Sequence, residues 1–385
     1  MKKNHLILSL VVLAALVVLG IYAHQRYPFD WHEFLSQFRL AQWRRIGIAT
    51  GSIYLAYVFR SVRWAFLLRN NKRVPLLSLL GTQVMGFTAV ALIGRVADPV
   101  RPYLVSKKTA LPLSNQIAVY VVERLLDFGT MALIFSLALF VLSSGAMPHA
   151  EAAKQSGHWG PLAALVHRFP AISEIVTRFG GLILTLLGAL FLVAVRMAGE
   201  AVATFFEGAL GLVSKRLGQA SGHKIRAFRA GLDAVRSFSD FSKVAGLSLG
   251  MWGLIAFAYL ETCLAFSTSD QLASMNLPKS IVLMMISGGA SIFQLPVIGW
   301  FTQIGVVAAV LSTGFNVGKE AATACAATIL LVTFLSIIPV GLVWAQFEQV
   351  SLRKIAHESE EASEEAEEQL EAEPAQAAET PDWGG

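Results

Sequence analysis

Arg60, Arg63, Glu123, Arg124 and Asp127 stand inside long apolar stretches of the sequence. Arg95, Asp98 and Arg101 stand in a kinked, charged segment, GRVADPVRPYLVSKK (94–108), at the end of another such stretch. An ionisable side chain at bilayer depth costs at least about 2.5–3.5 kcal/mol on insertion scales, so such residues report on function. Glu123 and Asp127 are four apart and share a helix face, and Arg124 reaches Asp127 three positions on. Arg95, Arg101 and Arg124 together would form a cationic pocket, with Asp98, Glu123 and Asp127 holding the guanidinium groups in place. A guanidinium fork binds two phosphate oxygens at once, and a phospholipid headgroup is the phosphate available at that depth. The candidate headgroup-binding set is therefore Arg60, Arg63, Arg95, Arg101 and Arg124. The alternative for each is a residue near the interface whose charged head snorkels to water. Only 15 residues (128–142) stay apolar beyond Asp127, so a full span draws part of the Glu123–Asp127 cluster into the membrane.

These residues need a membrane scaffold, and the composition supplies one. The chain is 55% hydrophobic and 15% charged, with mean hydropathy +0.58, whereas a soluble domain carries about a quarter charged residues. Apolar runs long enough to cross a ~30 Å hydrocarbon core recur along most of its length. The fold class expected is an all-α polytopic membrane protein. Candidate spans are 6–23, 46–68, 117–142, 179–195, 244–266 and 322–346; Glu261 falls within the fifth. The first run follows Lys2 and Lys3 as in a signal sequence, but no small-x-small cleavage site follows Ala23, which favours a retained helix.

Regions 76–113 and 280–313 are apolar but broken by Gly, Pro and polar residues. Positive residues favour the cytoplasmic side, which places Lys2 and Lys3, Arg69 to Arg73, the basic segment 200–243, and Arg353 and Lys354 inside. With those assignments, 76–113 must enter and leave from the inside and 280–313 from the outside. The expected arrangement is six full spans plus two re-entrant or broken helical hairpins, with a possible inverted repeat resting on topology alone. Eight simple spans is the competing arrangement. Broken helices at membrane depth are tolerated where protein or a water-filled cavity shelters them, and paired ones point to a transporter-like site.

Two stretches outside the spans are amphipathic. WHEFLSQFRLAQWRR (31–45) groups Phe34, Leu35 and Phe38, with Trp31 and Trp43 as interfacial anchors. Residues 223–243 set apolar positions against Arg226, Arg229, Arg236 and Lys243, suited to an anionic leaflet or to packing beneath the bundle. The chain thus divides into a membrane domain, 1–350, and a cytoplasmic acidic tail, 351–385, expected to be disordered. From His357 onward the tail holds 11 acidic residues and no Lys or Arg. Setting it aside leaves 31 Lys and Arg against 15 acidic residues, so the net charge of +5 conceals a strongly basic body.

Cys263 and Cys325 have no ligand spacing and read as buried small residues. His149, His158 and His167 share a loop without metal-ligand spacing. There is no phosphate loop, dinucleotide fingerprint, zinc-protease helix or nucleophile elbow. No cofactor, metal or nucleic-acid partner is expected, nor a catalytic role.

Three stretches make the chain resemble the lysylphosphatidylglycerol synthase transmembrane-region, or flippase-like, family: Arg60, Arg63 and Trp64; Gly94, Arg95, Asp98, Arg101 and Pro102; and Glu123, Arg124 and Asp127. A weaker match is QLPVIGWFTQ (294–303), with Pro296, Gly299 and Gln303 on the second hairpin. The resemblance runs over most of 1–350. It implies a membrane domain that moves or binds lipids, in some members fused to an aminoacyl-transferase domain that this sequence does not contain. Two departures stand out. Asp98 replaces the family's glutamate and keeps the charge. Gln303 stands where an acid is expected, which weakens a coupling-ion or cationic-headgroup role for the second hairpin.

Three functions follow as expectations: a lipid flippase or transporter acting on phospholipid or lipid-linked substrates; an accessory membrane protein that binds lipid intermediates or recruits a partner through its acidic tail; and a membrane-embedded transferase using Glu123 and Asp127. The expected location is a bacterial-type inner membrane, with both termini cytoplasmic.

Overall fold

In a computed structural model the described residues are 29–69, 72–94, 97–144, 238–290 and 298–349, with 351, 354–355, 358–359 and 361 beyond them. Among these every regular element is a helix. In chain order they are α1 Trp31–Leu40, α2 Trp43–Leu68, α3 Leu76–Ile93, α4 Val100–Thr109, α5 Leu113–Ser144 and α6 Phe238–Leu264. A single turn, α7 Asp270–Ala273, precedes α8 Leu277–Ala290, α9 Ile298–Ala309, α10 Lys319–Leu330 and α11 Ile337–Phe347. Among the described residues four helical segments are long and apolar enough to cross a membrane: Leu76–Ile93, Asn115–Leu142, Ser239–Leu264 and Lys319–Phe347. The helix α2 has the length as well, with Arg60 and Arg63 on its buried side. The protein is an all-α, multi-pass membrane protein.

The pair α2 and α6 runs antiparallel and is tied at both ends. Arg45 meets Glu261 at 2.9 Å at one end, and Arg69 meets Asp240 at 2.6 Å at the other. Gly250 lets α6 close onto Phe59, which a Cβ there would strike. Small residues do the same between α3 and α11, where Gly81 faces Trp344 and Gly341 faces Thr88.

Region 76–113 forms a hairpin. The helix α3 ends at Gly94, whose φ of 98° lies in the territory that glycine alone occupies without strain. Pro99 and Pro102 suit the first turn of α4, where missing N–H donors go unmissed. The helix α4 then returns along α3 until Lys72 Nζ donates to the Thr109 carbonyl at 2.8 Å and Lys108 Nζ to the Ser78 carbonyl at 3.4 Å. Both ends of the hairpin therefore lie on one face.

The region around 280–313 mirrors it from the opposite side. The helix α8 starts near the Glu261 end of α6. On the return, α9 runs into a π-helical turn, Val310–Gly314, just before α10. That end of α10 lies beside α1, where the Asp30 backbone N–H donates to Glu320 at 3.3 Å.

A second π-helical turn, Leu331–Leu335, joins α10 to α11, with the Ser336 N–H reaching back to the Leu331 carbonyl at 2.8 Å. Pro339 removes one further intrahelical donor. Tyr54 and Thr88 donate from neighbouring helices to the carbonyls of Ser336 (2.8 Å) and Ile337 (3.3 Å).

Several expectations change. The stretch 31–45 is not one amphipathic helix: it breaks at Ala41, whose backbone is extended, and Trp43 opens α2. The Gln42 N–H donates to the Ala265 carbonyl at 2.9 Å, turning the chain there. Phe34 and Phe38 pack on the core, whereas Leu35 is exposed, so these three do not share a face. The acidic segment starts against the body rather than apart from it. Ile355 joins the cluster of Val100 and Leu104 on α4, and Ser359 is buried. Candidate spans 6–23 and 179–195, nearly all of 223–243, and residues 362–385 lie outside the described residues.

Candidate functional site

Three helices deliver charged side chains to one buried place. The helix α2 brings Arg60 and Arg63 one turn apart, α5 brings Glu123, Arg124 and Asp127, and α4 brings Arg101 from the hairpin. Arg63 is the centre. Its Nη2 lies 2.7 Å from Glu123 Oε1, its Nη1 lies 2.6 Å from Asp127 Oδ1, and Nη1 also meets Ser248 Oγ of α6 at 2.7 Å. Because Glu123 and Asp127 share one face of α5, a single guanidinium fork spans both.

Arg60 reaches Glu123 Oε1 at 3.2 Å and lies 3.9 Å from Asp127 Oδ2. Arg124 approaches the same two carboxylates at 3.3 and 3.1 Å. Trp252 Nε1 donates to Asp127 Oδ1 at 3.2 Å, adding a neutral donor from α6.

Arg101 differs from the others. It is 0% exposed, it meets Gln83 Oε1 at 3.3 Å, and its Nη1 is 3.7 Å from Glu123 Oε2. Its Nε and Nη2 have no hydrogen-bond partner among the described residues, and neither does Gln83 Nε2. The guanidinium is sheltered by the rings of Phe87 and Tyr120, whose centroids are 4.5 and 5.0 Å away, and each ring face supports a cation. Gly86 on α3 makes the space: a Cβ there would collide with Arg101 Cγ.

The charge balance is the chemical point. Arg60, Arg63, Arg101 and Arg124 set four positive charges against two from Glu123 and Asp127. Asp98 is half-buried and lends its charge to Arg124, which leaves an excess of one positive charge among the described residues. An uncompensated guanidinium in a low-dielectric interior is costly. It favours an anion able to accept its free N–H groups, and a phosphate oxygen does both.

The structure thus brings together Arg60, Arg63, Arg101, Glu123, Arg124 and Asp127, with Asp98 at the edge. Burial of Arg60 and Arg63 excludes snorkelling for both. Arg95 and Pro296 lie outside the described residues. Gly299 and Gln303 are on α9, apart from these arginines; Gln303 Nε2 donates to Ser287 Oγ of α8 at 2.9 Å. Glu261 belongs to the tie with Arg45 at the far end of α6. Sequence reasoning missed Gln83, Phe87, Tyr120, Ser248 and Trp252. The one signal available was Gln83, a lone amide inside an apolar run.

Comparison with known proteins gives one match and two blanks. The family described as Lysylphosphatidylglycerol synthase TM region matches residues 6–341. No curated protein matches, and no solved structure does.

Proposed function

The chain belongs to the lysylphosphatidylglycerol synthase transmembrane-region family, and from that premise we propose that it binds phospholipid or lipid-linked headgroups within the bilayer and passes them between leaflets. The observation that carries this reading is Arg101: fully buried, three of its five N–H donors unused, and part of a cluster with more positive than negative charge. Two hairpins entering from opposite faces supply broken helices at depth, the setting in which transporter sites are built. Tails would stay in the bilayer while the headgroup follows the polar seam between the helices. With no nucleotide-binding motif in the sequence, movement would run downhill, with an ion, or with a partner. We place the protein in a bacterial-type inner membrane with the Lys107 face toward the cytoplasm.

Proteoliposomes test the reading. A fluorescent phospholipid in the inner leaflet should become accessible to dithionite faster with protein than without, and Arg101→Gln should remove most of the gain. Equal rates with and without wild-type protein, across several headgroups, would refute it.

A second reading is an accessory protein that binds lipid intermediates and recruits a partner through the acidic tail. The contacts of Ile355 and Glu358 with α4 favour it, because they couple the tail to the arginine-bearing hairpin. Deleting 357–385 with loss of phenotype but intact lipid distribution would support this reading over the first. A transferase using Glu123 and Asp127 has less in its favour: both carboxylates are engaged by Arg63, an arrangement suited to holding charge rather than to moving protons.

A further inference from the structure

The second hairpin carries a polar cluster that the arginine site does not use. Tyr259 OH of α6 donates to Ser287 Oγ of α8 at 2.9 Å, and Gln303 Nε2 of α9 donates to the same oxygen at 2.9 Å. Both acceptor positions of Ser287 are then filled. Gln303 is 6% exposed, and its Oε1 has no hydrogen-bond partner among the described residues. A buried amide oxygen left unpaired costs free energy that a donor from a ligand would recover. The π-helical turn Leu331–Leu335 brings Thr333 beside Tyr259, and such turns are frequent at functional sites.

This cluster lies on the same stripe of α6 as the charged site. Ser248 touches Arg63 and Trp252 touches Asp127. At about 100° and 1.5 Å per residue, Tyr259 falls within about 20° of Ser248 and roughly 10 Å beyond Trp252. Tyr259 therefore sets Gln303 beyond the arginines along the same side of α6. Tyr259, Ser287, Gln303 and Thr333 bring no carboxylate, so an ammonium group would arrive without a counter-charge from them, an unfavourable exchange for water at this depth. A hydroxyl group needs only an acceptor.

We propose that Gln303, Ser287 and Tyr259 form an uncharged subsite that accepts the hydroxyl groups of a lipid headgroup alcohol, so that the protein prefers phospholipids with glycerol, inositol or sugar headgroups over those with ammonium headgroups. The proposal rests on the headgroup-binding reading above and names its substrate class.

The experiment is lipid retention by the full chain purified from bilayers of equimolar phosphatidylglycerol, phosphatidylserine, phosphatidylethanolamine and phosphatidylcholine, read by mass spectrometry. Phosphatidylglycerol and phosphatidylserine carry equal net charge, so their ratio isolates the alcohol from the phosphate. Wild type should retain phosphatidylglycerol about tenfold over phosphatidylserine, the size expected for one or two hydrogen bonds. Gln303→Leu should bring that ratio close to one while anionic lipids stay enriched over phosphatidylcholine. Gln303→Glu should raise retained phosphatidylethanolamine several-fold, because its carboxylate supplies the missing counter-charge. Arg101→Gln should instead lower both anionic lipids together. A wild-type ratio near one, or a ratio unchanged in Gln303→Leu, overturns the subsite while leaving the arginine site standing. Wild type with no enrichment of anionic lipid at all overturns the headgroup reading itself, and the subsite with it.

Discussion

Arg63 joins Glu123 and Asp127 with the two arms of one guanidinium, while Ser248 and Trp252 supply the remaining contacts from α6. Removing Arg63 would leave two carboxylates buried beside fewer positive charges, and breaking a buried pair in this way costs about 3–5 kcal/mol. Arg63→Met should therefore lower the thermal midpoint in detergent strongly. Arg101→Gln should lower it little, because Arg101 contributes few satisfied hydrogen bonds to the fold. A variant pair with equal midpoints would show that the two arginines do not divide into a structural and a binding role. Arg60, Arg63, Glu123, Arg124 and Asp127 were legible in the sequence because each interrupts an apolar run, and Arg101 because it stands in a kinked, charged segment at the end of one. Ser248, Trp252 and Tyr120 were not, since one serine or aromatic in a membrane helix is ordinary and becomes informative only once packing sets the register. Gln303 was noticed as a missing acid; its partners Ser287 and Tyr259 lie 16 and 44 positions away in the chain and needed the fold to meet it.

At the scale of elements, α4 is the piece held from both sides. On its inner side Arg101 fits against Gly86. Gly86→Ala should push the Arg101 stem off α3 and reduce anionic-lipid retention as Arg101→Gln does. Gly129→Ala, where nothing lies within 4 Å, should be neutral or gain up to about 1 kcal/mol from helix propensity. Equal effects of the two alanines, on lipid retention and thermal midpoint, would remove the packing argument.

On its outer side Tyr103 OH and Lys107 Nζ each donate to Glu358 at 2.9 Å, and Ile355 packs on Val100 and Leu104. Hydrogen bonds from Lys107 and Tyr103 hold the Glu358 carboxyl below its ordinary value of 4.5. Those to Tyr103 and Glu358 hold Lys107 above 10.5. The acid's contribution is full above 4.5 and is lost as pH falls through its lowered value; the lysine's is full below 10.5 and is lost as pH rises through its raised one. Docking of this segment should therefore be flat from about pH 5 to about pH 10 and sensitive to salt, because these side chains are partly exposed. Amide exchange over 351–361 should quicken in about 1 M salt and in Glu358→Lys; exchange indifferent to both would mean that the contact is apolar alone. The α3–α4 bend was legible, because Gly94, Pro99 and Pro102 mark it. The α1–α2 break was not: Ala41 and Gln42 carry no turn signal, and the bend comes from the tertiary hydrogen bond to Ala265.

At the scale of the whole molecule, the described residues place an excess of positive charge on one face. Arg69, Lys72, Lys107, Lys108 and Lys354 gather where α2 and α11 end and α3 and α6 begin, with Lys108 paired to Glu348 and Lys107 to Glu358. At the opposite face acids and bases are even: Asp30, Glu33, Glu261, Asp270 and Glu320 lie there with Arg39, Arg44, Arg45, Lys279 and Lys319, and Arg45 is tied to Glu261. The bias of lysine and arginine toward the cytoplasm predicts that the first face lies inside. Because α3–α4 returns to the first face and α8–α9 to the second, a label beside each hairpin reads both orientation and hairpin topology. Both native cysteines are buried, so Gln271→Cys before α8 and Lys354→Cys beyond α11 would provide the only exposed thiols among the described residues. Gln271→Cys should react with a membrane-impermeant maleimide on intact cells, and Lys354→Cys only after permeabilisation. The reverse pattern would invert the orientation. Reaction of both from one side would break the arrangement in which the two hairpins enter from opposite faces, and with it the seam along α6 that joins the arginine cluster to Gln303.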